Sequence, residues 1–104
     1  MFYLGGIHMS HITIISNITA KDPYIDNMKK QLKELVPPSQ FDDGCVRYEL
    51  YQNSENLSHF KIIETWVSLA SWEEHMRHEH ITNFLISTSG MFEKFTTNQL
   101  EMIA

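Results

Sequence analysis

Three histidines stand close together in His75-Met76-Arg77-His78-Glu79-His80, half of the six in the chain. Imidazole takes and returns a proton near neutral pH, and it is also a common metal ligand. The cluster therefore admits a metal site or a proton-transfer site. Read as one regular helix from Trp72 through roughly His80, the segment turns about 100° per residue. Trp72, Met76 and Glu79 then define one face, with His75 about 60° to one side and His80 about 140° from His75. His78 points roughly outward. Three such side chains do not converge on one ion while the helix stays regular, so no metal is expected. His75 and His80 remain as edge residues of an inward face. Each is placed to offer an imidazole, as base or hydrogen-bonding group, to a pocket between helix and sheet. The competing reading is a core-edge histidine bonded to a backbone carbonyl.

Aromatic residues surround that face in sequence. Trp66 ends an apolar run, Trp72 opens the next segment, and Tyr48, Tyr51, Phe60 and Phe84 add to them. Aromatics at these spacings build a core, and they also wall a pocket for a flat aromatic ligand. Other chemistry is missing from the pattern. Gly5-Gly6 lacks the spacing of a phosphate loop, and no nicotinamide or flavin fingerprint is present. Cys45 follows a turn without a motif that marks a nucleophile.

The elements that must position these residues come from a chain of 104 residues with a formal net charge of −5. That length suits one domain, expected over residues 9–104, with Met9 as the original start and Met1 to His8 as an extension. The acidic balance argues against nucleic-acid binding and against charge-driven recruitment to anionic lipid. A single cysteine excludes an internal disulfide and suits a reducing cytoplasm. No 18-residue apolar run and no signal peptide is seen.

His11 to Ile18 is β-branched and predicts a first strand. Asp22 reads as an N-cap with Pro23 at the first helical position. Ile25, Met28, Leu32, Leu35 and Val36 form one helical face, which Pro37-Pro38 ends. After the Asp42-Asp43-Gly44 turn, Cys45 to Gln52 predicts a strand with Val46, Tyr48 and Leu50 on one face. Cys45, Arg47, Glu49 and Tyr51 take the other. Asn53 to Asn56 make a hairpin loop, and His59 to Val67 predicts a central strand, apolar on both faces. Ser71-Trp72-Glu73-Glu74 reads as a capping box opening a helix through roughly His80. Ile81 to about Ser89 is a further helical segment closed by Gly90, and Phe92 to Ile103 a last strand. The order β-α-β-β-α-(α)-β predicts an α+β fold, the split β-α-β or ferredoxin-like arrangement. Its uncovered sheet face predicts a homodimer packed sheet to sheet.

The stretch Ile63-Glu64-Thr65-Trp66-Val67-Ser68, then Ser71-Trp72-Glu73-Glu74-His75, then His80 with Phe84, resembles the antibiotic biosynthesis monooxygenase family. The Gly44-Cys45 turn into Arg47-Tyr48-Glu49-Leu50, and Asn53 before the loop, match as well. Glu79 departs from the proline that many relatives carry before the second histidine. The resemblance implies a dimeric α+β barrel that oxidises small phenolic, anthrone or quinol compounds with O₂, without metal, flavin or nicotinamide. It implies His75 or His80 as base, Trp66 and Asn17 as orienting groups, and Tyr48, Trp72 and Phe84 as pocket walls. One branch of the family degrades haem with an Asn, Trp and His set, and haem would be the substrate on that alternative. Asn17 stands one position from that branch's Asn, a shift that turns a strand side chain to the other face. A branch acting on phosphorylated sugars would need cations, for which Arg47 and Arg77 are the candidates. A non-catalytic dimeric module binding a small hydrophobic ligand is the alternative from another class.

Overall fold

The computed structural model describes residues 11–104 and, before them, the backbone of Tyr3–Leu4 and Ile7–His8, which pair as a short antiparallel ribbon. The boundary expected at Met9 lies outside the described residues. Four strands form the main sheet: β1 (Ile12–Ala20), β2 (Cys45–Gln52), β3 (His59–Trp66) and β4 (Phe92–Leu100). Their order is β2-β3-β1-β4, all antiparallel. Three helices connect them: α1 (Ile25–Gln40), α2 (Leu69–Met76) and α3 (Glu79–Ser87). This is the α+β, ferredoxin-like arrangement that the element order predicts.

The period of two on the strands decides which face the helices cover. Ile12, Ile14, Ser16, Ile18 and Ala20 of β1 are buried, as are Phe60, Ile62, Glu64 and Trp66 of β3. Met28, Leu32 and Leu35 of α1 close over them. Each of these aliphatic side chains contributes roughly 1.5–3 kcal/mol by leaving water. Thr13, Ile15, Asn17 and Thr19 face the opposite side, where no helix lies among the described residues, and are half-buried or exposed.

Several local expectations change. Pro37 and Pro38 lie inside α1 rather than ending it. Proline's fixed φ suits a helix, and its cost is a missing N–H and a clash one turn back. The carbonyls that lose those donors belong to Lys33 and Glu34, on the exposed side where water replaces them. The added turn brings Ser39 into full burial. Asp22 and Pro23 form a 3-10 turn, Asp22–Tyr24, without a side-chain cap, and α1 starts at Ile25.

The N-cap of α2 is Ser68, not Ser71. Its Oγ accepts from Ser71 N–H at 3.1 Å, and Glu74 pairs with Arg77 instead of closing a capping box. On β2 a bulge between Cys45 and Arg47 leaves Val46 exposed and turns Cys45 toward the core. An extra residue in one strand reverses the side-chain alternation across it. The last strand stops at Leu100, with Met102 and Ile103 exposed beyond it.

The largest change is between Met76 and Glu79. The helix expected to run to His80 stops at Met76, where Arg77 and His78 N–H donate to Glu74 and His75 carbonyls. His78 is extended, with φ −70 and ψ 151, and its carbonyl accepts from Ile81 and Thr82 to start α3. Two short helices with a corner replace one regular helix, so the 100° geometry does not apply across His78.

Candidate active site

The corner turns all three histidines toward one carboxylate. Asp42, in the turn between α1 and β2, accepts from His75 Nδ1 at 2.6 Å through Oδ2 and from His78 Nδ1 at 2.7 Å through Oδ1. His80 Nε2 lies 3.3 Å from Oδ2 and 3.3 Å from Ser39 Oγ. The outward direction expected of His78 is therefore corrected, because the extended His78 backbone redirects its side chain. Donor atoms of Asp42, His75 and His80 all lie within 4.8 Å of one another, which makes these the residues able to hold a metal.

His75 occupies the centre and is 1% exposed. Its ring sits 4.5 Å from that of Trp66 and 5.7 Å from that of Tyr48. A carboxylate only accepts, so the Nδ1–H of a neutral His75 points to Asp42 and its Nε2 carries the lone pair. That Nε2 is 3.8 Å from Oε1 of Glu64. Glu64 is itself buried, and its Oε1 accepts from Trp66 Nε1 at 2.8 Å. Burial pushes the Glu64 carboxyl up to about 7, against the pull of the Trp66 hydrogen bond. Burial also lowers His75, while the Asp42 hydrogen bond and charge oppose that shift. Asp42, His75 and Glu64 thus form a line from the protein's flank to its interior, with Asp42 orienting the His75 ring.

That line ends on a narrow apolar cleft of about 60 Å³ between the sheet and α2–α3. Glu64, His75, Tyr48, Trp72 and Phe84 line it, and Met76 and Leu85 stand at its edge. It is smaller than the roughly 300–1,000 Å³ of ordinary ligand pockets. Met76 and Leu85, which also line it, are exposed. Among the described residues, Trp72 Nε1 is buried without a hydrogen-bond partner. A buried donor without an acceptor is costly, and a ligand oxygen in the cleft would satisfy it.

The residues named from sequence divide accordingly. His75, Tyr48, Trp72 and Phe84 meet at the cleft, and Trp66 supports His75 from beside it. His80 is set behind His75, with ring centroids 5.6 Å apart, and does not line the cleft. Asn17 is exposed on the other sheet face, beside Lys61 and Thr96. An odd-numbered position on β1 cannot point where Ser16 and Ile18 point. The Asn, Trp and His set is therefore not gathered in one place. Arg47 and Arg77 bind Glu49 and Glu74 at the surface. Cys45 is half-buried, and burial raises its thiol, which does not favour a nucleophile.

Two site residues escape the sequence reading. Glu64 was visible as a carboxylate at an inward position among Phe60, Ile62 and Trp66, a polarity that period-two alternation exposes. Asp42 carried only a turn signal, and nothing local in the sequence tells that its carboxylate faces three histidines.

The relatives agree with this architecture. PA3566 of Pseudomonas aeruginosa is 30% identical, with a TM-score of 0.89 over 94% of this chain and all of that one. Protein SO0527 of Shewanella oneidensis is 21% identical, with a TM-score of 0.85 over 92% of this chain and 94% of that one. A solved structure named antibiotic biosynthesis monooxygenase is 22% identical, with a TM-score of 0.84 over 89% of this chain and 99% of that one. No curated protein matches. The profile of the antibiotic biosynthesis monooxygenase family matches residues 11–85, which include Asp42, Glu64, Trp66 and all three clustered histidines. With that match over most of its length, the chain belongs to the antibiotic biosynthesis monooxygenase family.

Proposed function

We propose that the chain is a cofactor-free monooxygenase that acts with O₂ on a small aromatic substrate of the quinol, phenol or anthrone kind. The observation that carries this reading is the buried Asp42–His75···Glu64 line opening on an aromatic cleft. Family membership and a relative named as a monooxygenase support it. Glu64 takes the proton of a substrate hydroxyl or activated C–H, and His75, oriented by Asp42, relays it. A carboxyl held near neutrality suits that role better than an ordinary one. Trp72 Nε1 donates to a substrate oxygen and holds the ring against Phe84 and Tyr48.

The resulting anion passes one electron to O₂. The radical pair recombines at carbon as a peroxide, and loss of water leaves a carbonyl. One oxygen atom ends in the product and the other in water, so an anthrone becomes a quinone with no external reductant. Apolar walls keep water from the pair. A second copy covers the open sheet face, where Ile15 and Ile63 pair across β1 and β3.

Oxygen uptake tests the reading, measured with a quinol and anthrone panel in the presence of EDTA. Uptake of one O₂ per substrate oxidised is expected, falling by roughly 10²–10⁴ in Glu64→Gln, as for loss of a general base. His75→Ala is expected to lower turnover as well. No uptake across the panel removes the oxygenase assignment. A Soret band on haem titration, with haem loss under reductant, moves it to haem degradation.

A further inference from the structure

We propose that Asp42, His75 and His80 form a three-residue binding site for a zinc-class divalent cation. The donors are imidazole nitrogens and one carboxylate oxygen, the set that Zn²⁺ takes and that the oxygen-seeking Ca²⁺ and Mg²⁺ do not. They come from three places in the fold: the α1–β2 turn, the end of α2 and the start of α3. Only the corner at Arg77-His78 brings them together.

The spacing is close to what a tetrahedral ion needs. Ligands about 2.0–2.2 Å from zinc lie roughly 3.3 Å from one another. His80 Nε2 and Asp42 Oδ2 are 3.3 Å apart. His75 Nδ1 and the same oxygen, 2.6 Å apart as a hydrogen-bonded pair, must separate by less than about 1 Å to admit an ion. His78 Nδ1 bonds the second oxygen of Asp42, at 2.7 Å, and orients that carboxylate.

Charge and access favour a cation. Among the described residues, the arginine salt bridges go to Glu49 and Glu74, and the partners of Asp42 are histidines. Asp43 and Glu74 line the hollow of about 520 Å³ that leads from solvent to Asp42, His75 and His78. Glu74 is paired with Arg77, so Asp43 is the carboxylate at that hollow that draws a cation toward Asp42. Ser39 Oγ lies 3.3 Å from His80 Nε2, the ligand nitrogen itself, and gives up that contact when an ion binds.

One consequence joins this site to the cleft and rests on the proposed function. A cation on His75 Nδ1 leaves the ring proton on Nε2, the nitrogen that faces Glu64. Metal binding and proton relay at that ring then exclude each other. Cation binding itself does not depend on the chain being an oxygenase.

The test uses the full chain stripped with EDTA and titrated with CoCl₂, then with ZnCl₂. One equivalent of Co²⁺ is expected to give the intense visible bands of a tetrahedral centre, and Zn²⁺ to bleach them. His80→Ala and Asp42→Asn are expected to weaken binding by roughly tenfold or more while circular dichroism stays native. Should His80→Ala not fold, His80→Gln keeps a polar side chain beside Ser39 and serves in its place. No tetrahedral bands in the wild type, or bands undiminished in the variants, overturn the proposal. Turnover is not part of the readout, so a failed oxygenase assay leaves this result standing.

Discussion

Glu64 is the residue at which stability and chemistry pull in opposite directions. Its carboxyl ionises at about 7 in the folded protein, against 4.5 for an ordinary glutamate. Between those values the unfolded chain loses the proton while the native state keeps it. Stability therefore falls as pH rises from about 4.5 through 7, and the loss is complete above 7. A difference of this size corresponds to about 3 kcal/mol, with burial as its cause. Glu64→Gln is expected to unfold at higher urea than wild type at pH 8 and to match it near pH 4. Equal midpoints at both values would mean that Glu64 ionises normally. On the proposed function the same group sets an acid limb: kcat/KM is expected to rise with an apparent midpoint near 7, a property of the coupled Glu64–His75 pair. Parity along β3 made the inward position of Glu64 readable from sequence. Its altered acidity was not readable, because it comes from burial under the packed helices, which outweighs the Trp66 hydrogen bond.

At the scale of elements, two backbone features make the site. Gly44, with φ +83, lets the turn carrying Asp42 lie against α2. A Cβ there would collide with the Ser71 side chain, and its φ disfavours any L-residue. The Gly44 carbonyl also accepts from Val67 N–H at 2.9 Å, tying the turn to the end of β3. Gly44→Ala is expected to cost about 2 kcal/mol or more in urea unfolding. It is also expected to lower turnover, since it moves Asp42 away from His75. The other feature is the corner at Arg77-His78. The turn signal Asp43-Gly44 was plain in the sequence, whereas the corner was not. Met76, Arg77, His78 and Glu79 contain neither proline nor glycine, so nothing local interrupts a helix. Packing of Ile81 and Phe84 into the core, and of His75 and His78 onto Asp42, bends the chain there.

At the scale of the whole molecule, the described residues leave one face of the sheet without a helix. Ile15 and Ile63 face each other at its middle, with Thr13 and Thr65 hydrogen-bonded beside them at 3.2 Å. A second copy of the chain is the proposed cover. Light scattering after gel filtration is expected to give twice the chain mass for wild type and the single mass for Ile15→Lys. A wild-type monomer would leave that face to water. Among the described residues no helix is long and apolar enough to cross a membrane.

Element types, their order and hence the ferredoxin-like arrangement were determined by the sequence itself. β-branched runs, helical periodicity and turn residues act over a few neighbours, and β2 runs from Cys45 to Gln52 as its pattern predicts. Tyr48, Trp72, Phe84 and His75 were legible as inward side chains for the same reason. Tertiary structure decided the rest. It ran α1 through two prolines, turned Val46 outward at a bulge, put Asn17 on the far face and gathered His75, His78 and His80 on Asp42. Asp42 lies 33 residues from His75 in the chain. No local pattern encodes a contact over that distance; it exists only once α1, α2 and the sheet have packed together.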